Sequence, residues 1–341
     1  MPLDWPQPKP YSNATNSSIS TEPALSLYGS DPRMSVSSIA PEAGVPIPGY
    51  SELREKRFPL NLGEQMPGVA KIWKMAKANN WDAVTDIAWE KLDLTKYTPE
   101  QLYAARVFWS RRAWSEYTGL AESPTVLLRF AFEGARESQI KFALASKLMD
   151  EARHIEASYL LAEKLGGYID EPPEGAPRHR VVAGLRQRGM NVDYTPEAVI
   201  GCWHCVSEHF AVDIFRARWQ HSSDPVAKEV LGRILADEIR HINMGWEYLA
   251  YRLPRTNAAV RENVRTAMMD VIENIELGGF HSSSMIHGGE PDLFMKLDAI
   301  VAEAGLGAAP VDKEHAASVE SLATIRTKAA AIGVNLPEYT L

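Results

Sequence analysis

Asp150-Glu151-Ala152-Arg153-His154 and Asp237-Glu238-Ile239-Arg240-His241 share one pattern, D-E-x-R-H. Each lies in a run whose apolar residues recur at helical spacing, as Ile140, Leu144 and Leu148 do before the first copy. On an α-helix, positions i and i+3 share a face, one turn apart. Glu151 with His154, and Glu238 with His241, therefore each present a carboxylate and an imidazole to one point. Mixed oxygen and nitrogen donors suit iron or manganese. One Glu-x-x-His is most simply a solvated helix face. Two copies with the same leading Asp and the same inner Arg point instead to a shared metal site.

The flanking residues extend the repeat. Ser115-Glu116-Tyr117 precedes the first copy and Ser207-Glu208-His209 the second, so each half reads as a helix with Glu, a turn, and a helix with Glu-x-x-His. Over roughly residues 98–253 the chain resembles the ferritin-like dimetal-carboxylate superfamily of non-haem di-iron oxidases and oxygenases. Its bundle site takes a Glu from each of two helices and Glu-x-x-His from each of the other two. The resemblance implies an all-α fold, a ferritin-like four-helix bundle with additional N- and C-terminal helices. It also implies metal ligands at Glu116, Glu151, His154, Glu208, Glu238 and His241, holding two iron ions, or manganese with iron, that react with O₂. A ligating His gives its second N–H to a carboxylate or carbonyl. By the resemblance, Asp237 would serve His154 and Asp150 would serve His241.

Composition narrows the class. The 341 residues suffice for a large core, and 45% hydrophobic content is ordinary for a globular protein. A net charge of −8 argues against nucleic acid as a partner. No apolar run reaches membrane-span length, no secretory signal is evident, and two cysteines give no disulfide framework. These features predict a cytoplasmic protein.

In chain order, residues 1–48 are rich in Pro, Ser and Asn and read as a flexible arm; residues 49–97 read as a pre-bundle helical segment carrying Trp81 and Trp89. Thr98-Pro99-Glu100-Gln101 is a capping-box start for the first bundle helix. The second ends at Gly166-Gly167, the third opens at Thr195-Pro196, and the fourth starts after Ser222-Ser223-Asp224-Pro225 and runs to residue 253. Residues 254–341 form a helical extension with breaks at Gly278-Gly279 and Gly333.

The first-helix ligand is contested between Glu116, Glu122 and Glu133. Facing residues of a helical hairpin lie at similar distances from its turn. With Gly134 as the turn, Glu116 and Glu151 are nearly symmetric, whereas Glu122 is offset by about 8 Å at about 1.5 Å per residue. Glu133 would sit in the turn. Glu116 is therefore preferred, with Glu122 as runner-up, although Pro124 must then lie inside the helix.

Cys202-Trp203-His204-Cys205 holds a CxxC without a second, so buried apolar cysteines are expected, and His204 reads as a hydrogen-bonded core histidine. Tyr117, Trp109 and Trp203 read as core packing. Several subfamily signatures are absent. The radical Tyr of ribonucleotide reductase small subunits is replaced by Ser158. The Thr of multicomponent hydroxylases is Val212, that of acyl carrier protein desaturases is Ala211, and the third His of arylamine N-oxygenases is Ile234. The expected function is an O₂-activating di-iron oxygenase or oxidase (hydroxylation, N-oxygenation, epoxidation or desaturation) on a small organic substrate. Its expected partners are an electron donor (a ferredoxin or reductase) and a second copy in a homodimer. The alternative is an iron-handling ferroxidase or storage protein. Val212, one turn after Glu208, predicts a dry, apolar pocket beside the metals.

Overall fold

The computed structural model describes residues 66–132, 138–177, 185–286 and 290–339, all within one compact unit, Arg54–Leu341. The arm at 1–48 and the turn residue Gly134 lie outside the described residues. The described secondary structure is helical, with α1 at Pro67–Ala78, α2 at Pro99–Phe132, α3 at Ser138–Lys164 and the short α4 at Leu185–Gly189. These are followed by α5 (Pro196–Cys202), α6 (Glu208–His221), α7 (Pro225–Arg252), α8 (Ala258–Val271), α9 (Leu293–Ala304) and α10 (Val311–Ala331). Five residues in π conformation, Trp203–Ser207, join α5 to α6, and a second π turn, Ile272–Glu276, extends α8. No helix among the described residues is long and apolar enough to cross a membrane.

The helix starts follow from local chemistry. Thr98 and Gln101 exchange hydrogen bonds, the Gln101 side chain accepting from Thr98 N at 3.0 Å and the Thr98 hydroxyl from Gln101 N at 3.2 Å. Asp224 caps α7 by accepting from Val226 N and Ala227 N, both at 2.9 Å, and also takes the Tyr97 hydroxyl at 2.8 Å. After α3, Gly166 and Gly167 adopt φ of 123° and 121° and close the helix onto Glu163 and Ala162. Helix α2 continues through Ser123-Pro124 to Phe132, and α3 begins at Ser138.

Two apolar clusters fill the bundle, and each long helix passes from one to the other. Helix α2 leaves the cluster of Phe108 and Trp109 and enters that of Val126 and Phe130; α7 passes from Leu231 and Ile234 to Tyr248 and Leu249 in the same sense. Helix α3 runs from Ile140 and Leu144 to Leu161, and the α5–α6 segment from Val199 and Val206 to Ile214 and Phe215, both in the opposite sense. The four segments are thus antiparallel in pairs. At mid-level, between the two clusters, each turns a Glu inward. Outside the bundle, α1 packs on α3 and α7, α8 on α5, α9 on α2, and α10 on α6.

Replacing Asp224 with Ala removes both the α7 cap and the acceptor for Tyr97. A loss of about 1–2 kcal/mol is expected, read as a fall of roughly 2–6 °C in Tm, with the far-ultraviolet helical signal unchanged at low temperature. An unchanged Tm would show that the cap contributes nothing.

Candidate metal centre

Four helices deliver the cluster. Helix α2 contributes Glu116, α3 Glu151 and His154, α6 Glu208, and α7 Glu238 and His241, all of them buried. Their donor atoms converge in two overlapping groups, Glu116 with Glu151, His154 and Glu238, and Glu151 with Glu208, Glu238 and His241; within each, the atoms lie within 4.8 Å of one another. Glu151 and Glu238 belong to both. His154 Nδ1 faces Glu238 Oε1 at 3.3 Å, Glu116 Oε2 at 3.6 Å and Glu151 Oε2 at 3.8 Å. His241 Nδ1 faces Glu238 Oε2 at 2.8 Å, Glu208 Oε2 at 3.7 Å and Glu151 Oε1 at 3.9 Å. Glu122 is buried but stands outside both groups.

The far nitrogens of the two imidazoles are held crosswise. His154 Nε2 donates to Asp237 Oδ2 at 3.2 Å, and His241 Nε2 to Asp150 Oδ2 at 3.0 Å. Each Asp belongs to the other copy of D-E-x-R-H. The inner arginines complete the lattice. Arg240 donates to Asp237 at 2.6 Å and to Asp150 at 3.1 Å, and Arg153 bonds Asp150 and reaches Asp237 at 3.5 Å. Trp81, from the segment before the bundle, donates its indole N–H to Asp237 at 2.9 Å. With Nε2 engaged, the neutral imidazole keeps its lone pair on Nδ1, aimed at the carboxylates.

The charge balance is severe. Burial disfavours the ionised Glu151 carboxyl, and Glu238, Glu208 and Glu116 add to this against the opposing Lys147, raising its pKa to about 8. Burial acts the same way on Glu116, but Arg112 and His154 outweigh it and hold its pKa at about 2. Burial works against a charged His154; the carboxylates of Asp237, Glu116 and Glu238 around it overcome burial, so the imidazole holds its proton well above the usual range. His241 behaves alike under Glu238, despite burial. Divalent ions would replace these protons, because a ligating imidazole must be neutral. The donor set fits such ions. His154 Nδ1 is fully buried with no hydrogen-bond partner among the described residues, as expected of an atom reserved for a metal. The group could therefore take two metal ions, and Glu151 and Glu238 have donor atoms in both groups.

A cavity of about 90 Å³ opens directly onto the cluster. Glu116, Glu151, Glu208 and Glu238 form its floor, and Ala211, Phe215, Phe280 and Phe294 supply apolar wall. Arg111, Arg112 and Arg218 also line it, paired with Asp298, Glu116 and Glu314. The expected dry, apolar pocket beside Val212 is thus corrected. Val212 is wholly buried in an apolar cluster, and its neighbour Ala211, also about one turn after Glu208, meets the cavity instead.

Other expectations need revision. Tyr117 is 60% exposed and packs in no core. Trp203 is more than packing, donating its indole N–H to Glu208 Oε1 at 2.9 Å. His204 is buried, yet neither ring nitrogen has a hydrogen-bond partner among the described residues; burial, with Lys147 nearby, pushes its pKa down to about 3. Cys202 and Cys205 are both free and buried. Sequence reading missed Gly119, where a Cβ would lie 2.7 Å from the Glu151 carboxyl carbon, and Ser207, whose hydroxyl lines the cavity and donates to Glu276 at 2.9 Å. Glu276 accepts in turn from His281 Nδ1 at 2.8 Å.

Protein expressed with ample iron or manganese should carry about two ions per chain by elemental analysis. The double change His154→Ala with His241→Ala should abolish binding. Glu116→Ala should lose at least one ion, and Glu122→Ala none. Full occupancy in the double variant would refute the ligand set; loss in Glu122→Ala with retention in Glu116→Ala would reverse the choice on α2.

No protein-family model matches the chain, and no curated protein matches its sequence. Solved structures do match. An R2-like ligand-binding oxidase, a valine-to-isoleucine variant with an aerobically reconstituted Mn/Fe cofactor, is 13% identical, with a TM-score of 0.58 over 79% of this chain and 99% of that one. A tyrosine-to-phenylalanine variant of an R2-like ligand-binding oxidase, also with an aerobically reconstituted Mn/Fe cofactor, is 14% identical, with a TM-score of 0.60 over 79% and 98%. This chain has the all-α ferritin-like fold of the R2-like ligand-binding oxidases, with a buried carboxylate–histidine cluster able to bind two metal ions.

Proposed function

We propose that the chain is a dimetal oxidase or oxygenase that uses O₂ to oxidise a small organic molecule. The supporting observation is the cavity, because the four cluster carboxylates are also its floor. Anything held there touches the metal ligands, as an enzyme requires and an iron store does not. Six donors of mixed carboxylate and imidazole type suit iron, or manganese with iron. When bound, such a pair supplies the electrons that activate O₂.

The chain's own groups set the conditions. Asp237 and Asp150 orient the two imidazoles and fix their tautomers. Trp203 holds one oxygen of Glu208, leaving Oε2 turned toward His241. Phe215, Phe280 and Phe294 provide an apolar surface for a hydrocarbon or ring, and the paired Arg111, Arg218 and the imidazole of His281 provide polar anchors at the same wall. The substrate class is therefore a small molecule with both apolar and polar parts. O₂ reduction consumes protons, and Val212 has no hydroxyl to carry them. The Ser207 hydroxyl, backed by Glu276 and His281, holds a proton at the cavity wall next to Glu208. An external electron donor, a ferredoxin or a reductase, would return the metals to the reduced state.

The metal-loaded protein, reduced anaerobically and mixed with O₂, should consume O₂ in an oxygen-electrode assay. Ser207→Ala should keep both metals and slow that reaction by roughly tenfold or more. If the loaded, reduced wild type leaves O₂ untouched, the oxidase reading fails; if Ser207→Ala reacts at the wild-type rate, only the proton route fails.

A further inference from the structure

Lys147 is out of place in a site built to attract cations. It lies on α3 one turn before Glu151 and is 1% exposed. Its ammonium is hydrogen-bonded to Glu151 Oε1, stands 2.8 Å from Glu208 Oε1, and sits 5.8 Å from the centre of the Trp203 ring. An ammonium offers three donors and no acceptor, and both of its polar contacts here are carboxylate oxygens.

The consequence depends on which carboxylate oxygen each cation occupies. Arg112 bonds Glu116 at Oε1, while Oε2 is the atom near His154 Nδ1. The Arg112 guanidinium lies 3.9 Å over the centre of the Phe215 ring, which holds it on the Oε1 side of Glu116. Glu238 turns Oε1 to His154 and Oε2 to His241. Glu208 takes Trp203 and Lys147 on Oε1 and turns Oε2 to His241. Glu151 differs. Its Oε2 faces His154, but Oε1, the oxygen that faces His241, is the one that holds Lys147. Around His154 Nδ1, all three facing oxygens are therefore clear of Lys and Arg. Around His241 Nδ1, one of the three is taken by an ammonium that also touches a second ligand residue.

We propose that Lys147 is a resident counter-ion that makes the two metal positions unequal. The divalent ion beside His154 binds first and tightly; the ion beside His241 binds against the Lys147 charge and stays the exchangeable one. This inference rests on the dimetal reading of the cluster. A unit charge on the Glu151 oxygen that faces His241 is enough for a large bias. At the effective dielectric of such sites, the repulsion corresponds to an affinity loss of about tenfold or more.

The test is a titration of the metal-free full chain with Mn(II) alone, following free Mn(II) by its electron paramagnetic resonance signal and the heat by calorimetry. The wild type should bind one ion tightly and a second at least about tenfold more weakly. Lys147→Met keeps the length and removes the charge; it should narrow that gap by about tenfold, mainly by strengthening the weaker step. A second pair of variants is independent of how well Lys147→Met folds. His241→Ala should keep the tight ion, and His154→Ala should keep only a weak one. Two ions of equal affinity in the wild type, an unchanged gap in Lys147→Met, or loss of the tight ion in His241→Ala would each overturn the role of Lys147 while leaving the metal centre standing. No Mn(II) binding at all would overturn the centre and, with it, this inference.

Discussion

Four carboxylates meet in the buried middle of this bundle, and the rest of the structure is arranged to tolerate them. Two like charges 4 Å apart repel by about 4 kcal/mol even at an effective dielectric near 20. Without compensation such a group would protonate or pull the helices apart. The chain answers in layers. Lys147 and Arg112 are fixed cations inside the cluster, and the two histidines carry protons that metals can replace. Beyond the histidines, Asp150, Asp237, Arg153 and Arg240 form a crossed set of buried ion pairs that joins α3 to α7. Metal binding and folding are coupled through this balance, because ions that neutralise the carboxylates stabilise the folded state that presents them.

The elements outside the four-helix bundle shape what lies above the metals. Both π turns end on a polar residue of one hydrogen-bonded chain, the first on Ser207 and the second on Glu276. A π turn inserts one residue into a helix and shifts the face that follows. Here the first π turn brings Trp203, five residues earlier, onto the side of Glu208, to which it donates. Phe280, His281 and Ser283, after α8, and Phe294 and Asp298, on α9, close the other side. The C-terminal third of the chain thus supplies one part of the cavity lining, and α2 and α6 supply most of the rest. Gly119 and Gly245 show the cost of such close packing. A Cβ at Gly119 would meet the Glu151 carboxyl carbon at 2.7 Å, and one at Gly245 would meet His204 Cβ at 2.6 Å.

Much of this was legible from residue order because its causes are local. Helical spacing places Glu and His of each Glu-x-x-His on one face, Thr98, Thr195 and Asp224 cap the helices they precede, and the doubled D-E-x-R-H marks a two-fold site. Counting outward from the turn was enough to prefer Glu116 over Glu122, since antiparallel neighbours rise at the same rate. Counting could not choose between Ala211 and Val212, which lie three and four residues after Glu208 and flank its face; packing put the first at the cavity and the second in the core.

Sequence by itself determined the all-α class, the helix starts and the residues able to bind metal, because periodicity and capping act within a few residues of one helix. Tertiary structure alone decided which partner each polar group received. Lys147 reads in sequence as one more basic residue on α3, yet it sits between Glu151 and Glu208 of different helices. Trp81 bonds Asp237 from 156 positions away, and Trp203 becomes the donor to Glu208 only because the π turn swings it there. Such partners are set by how rigid helices pack in three dimensions, and packing brings together residues whose separation along the chain carries no signal.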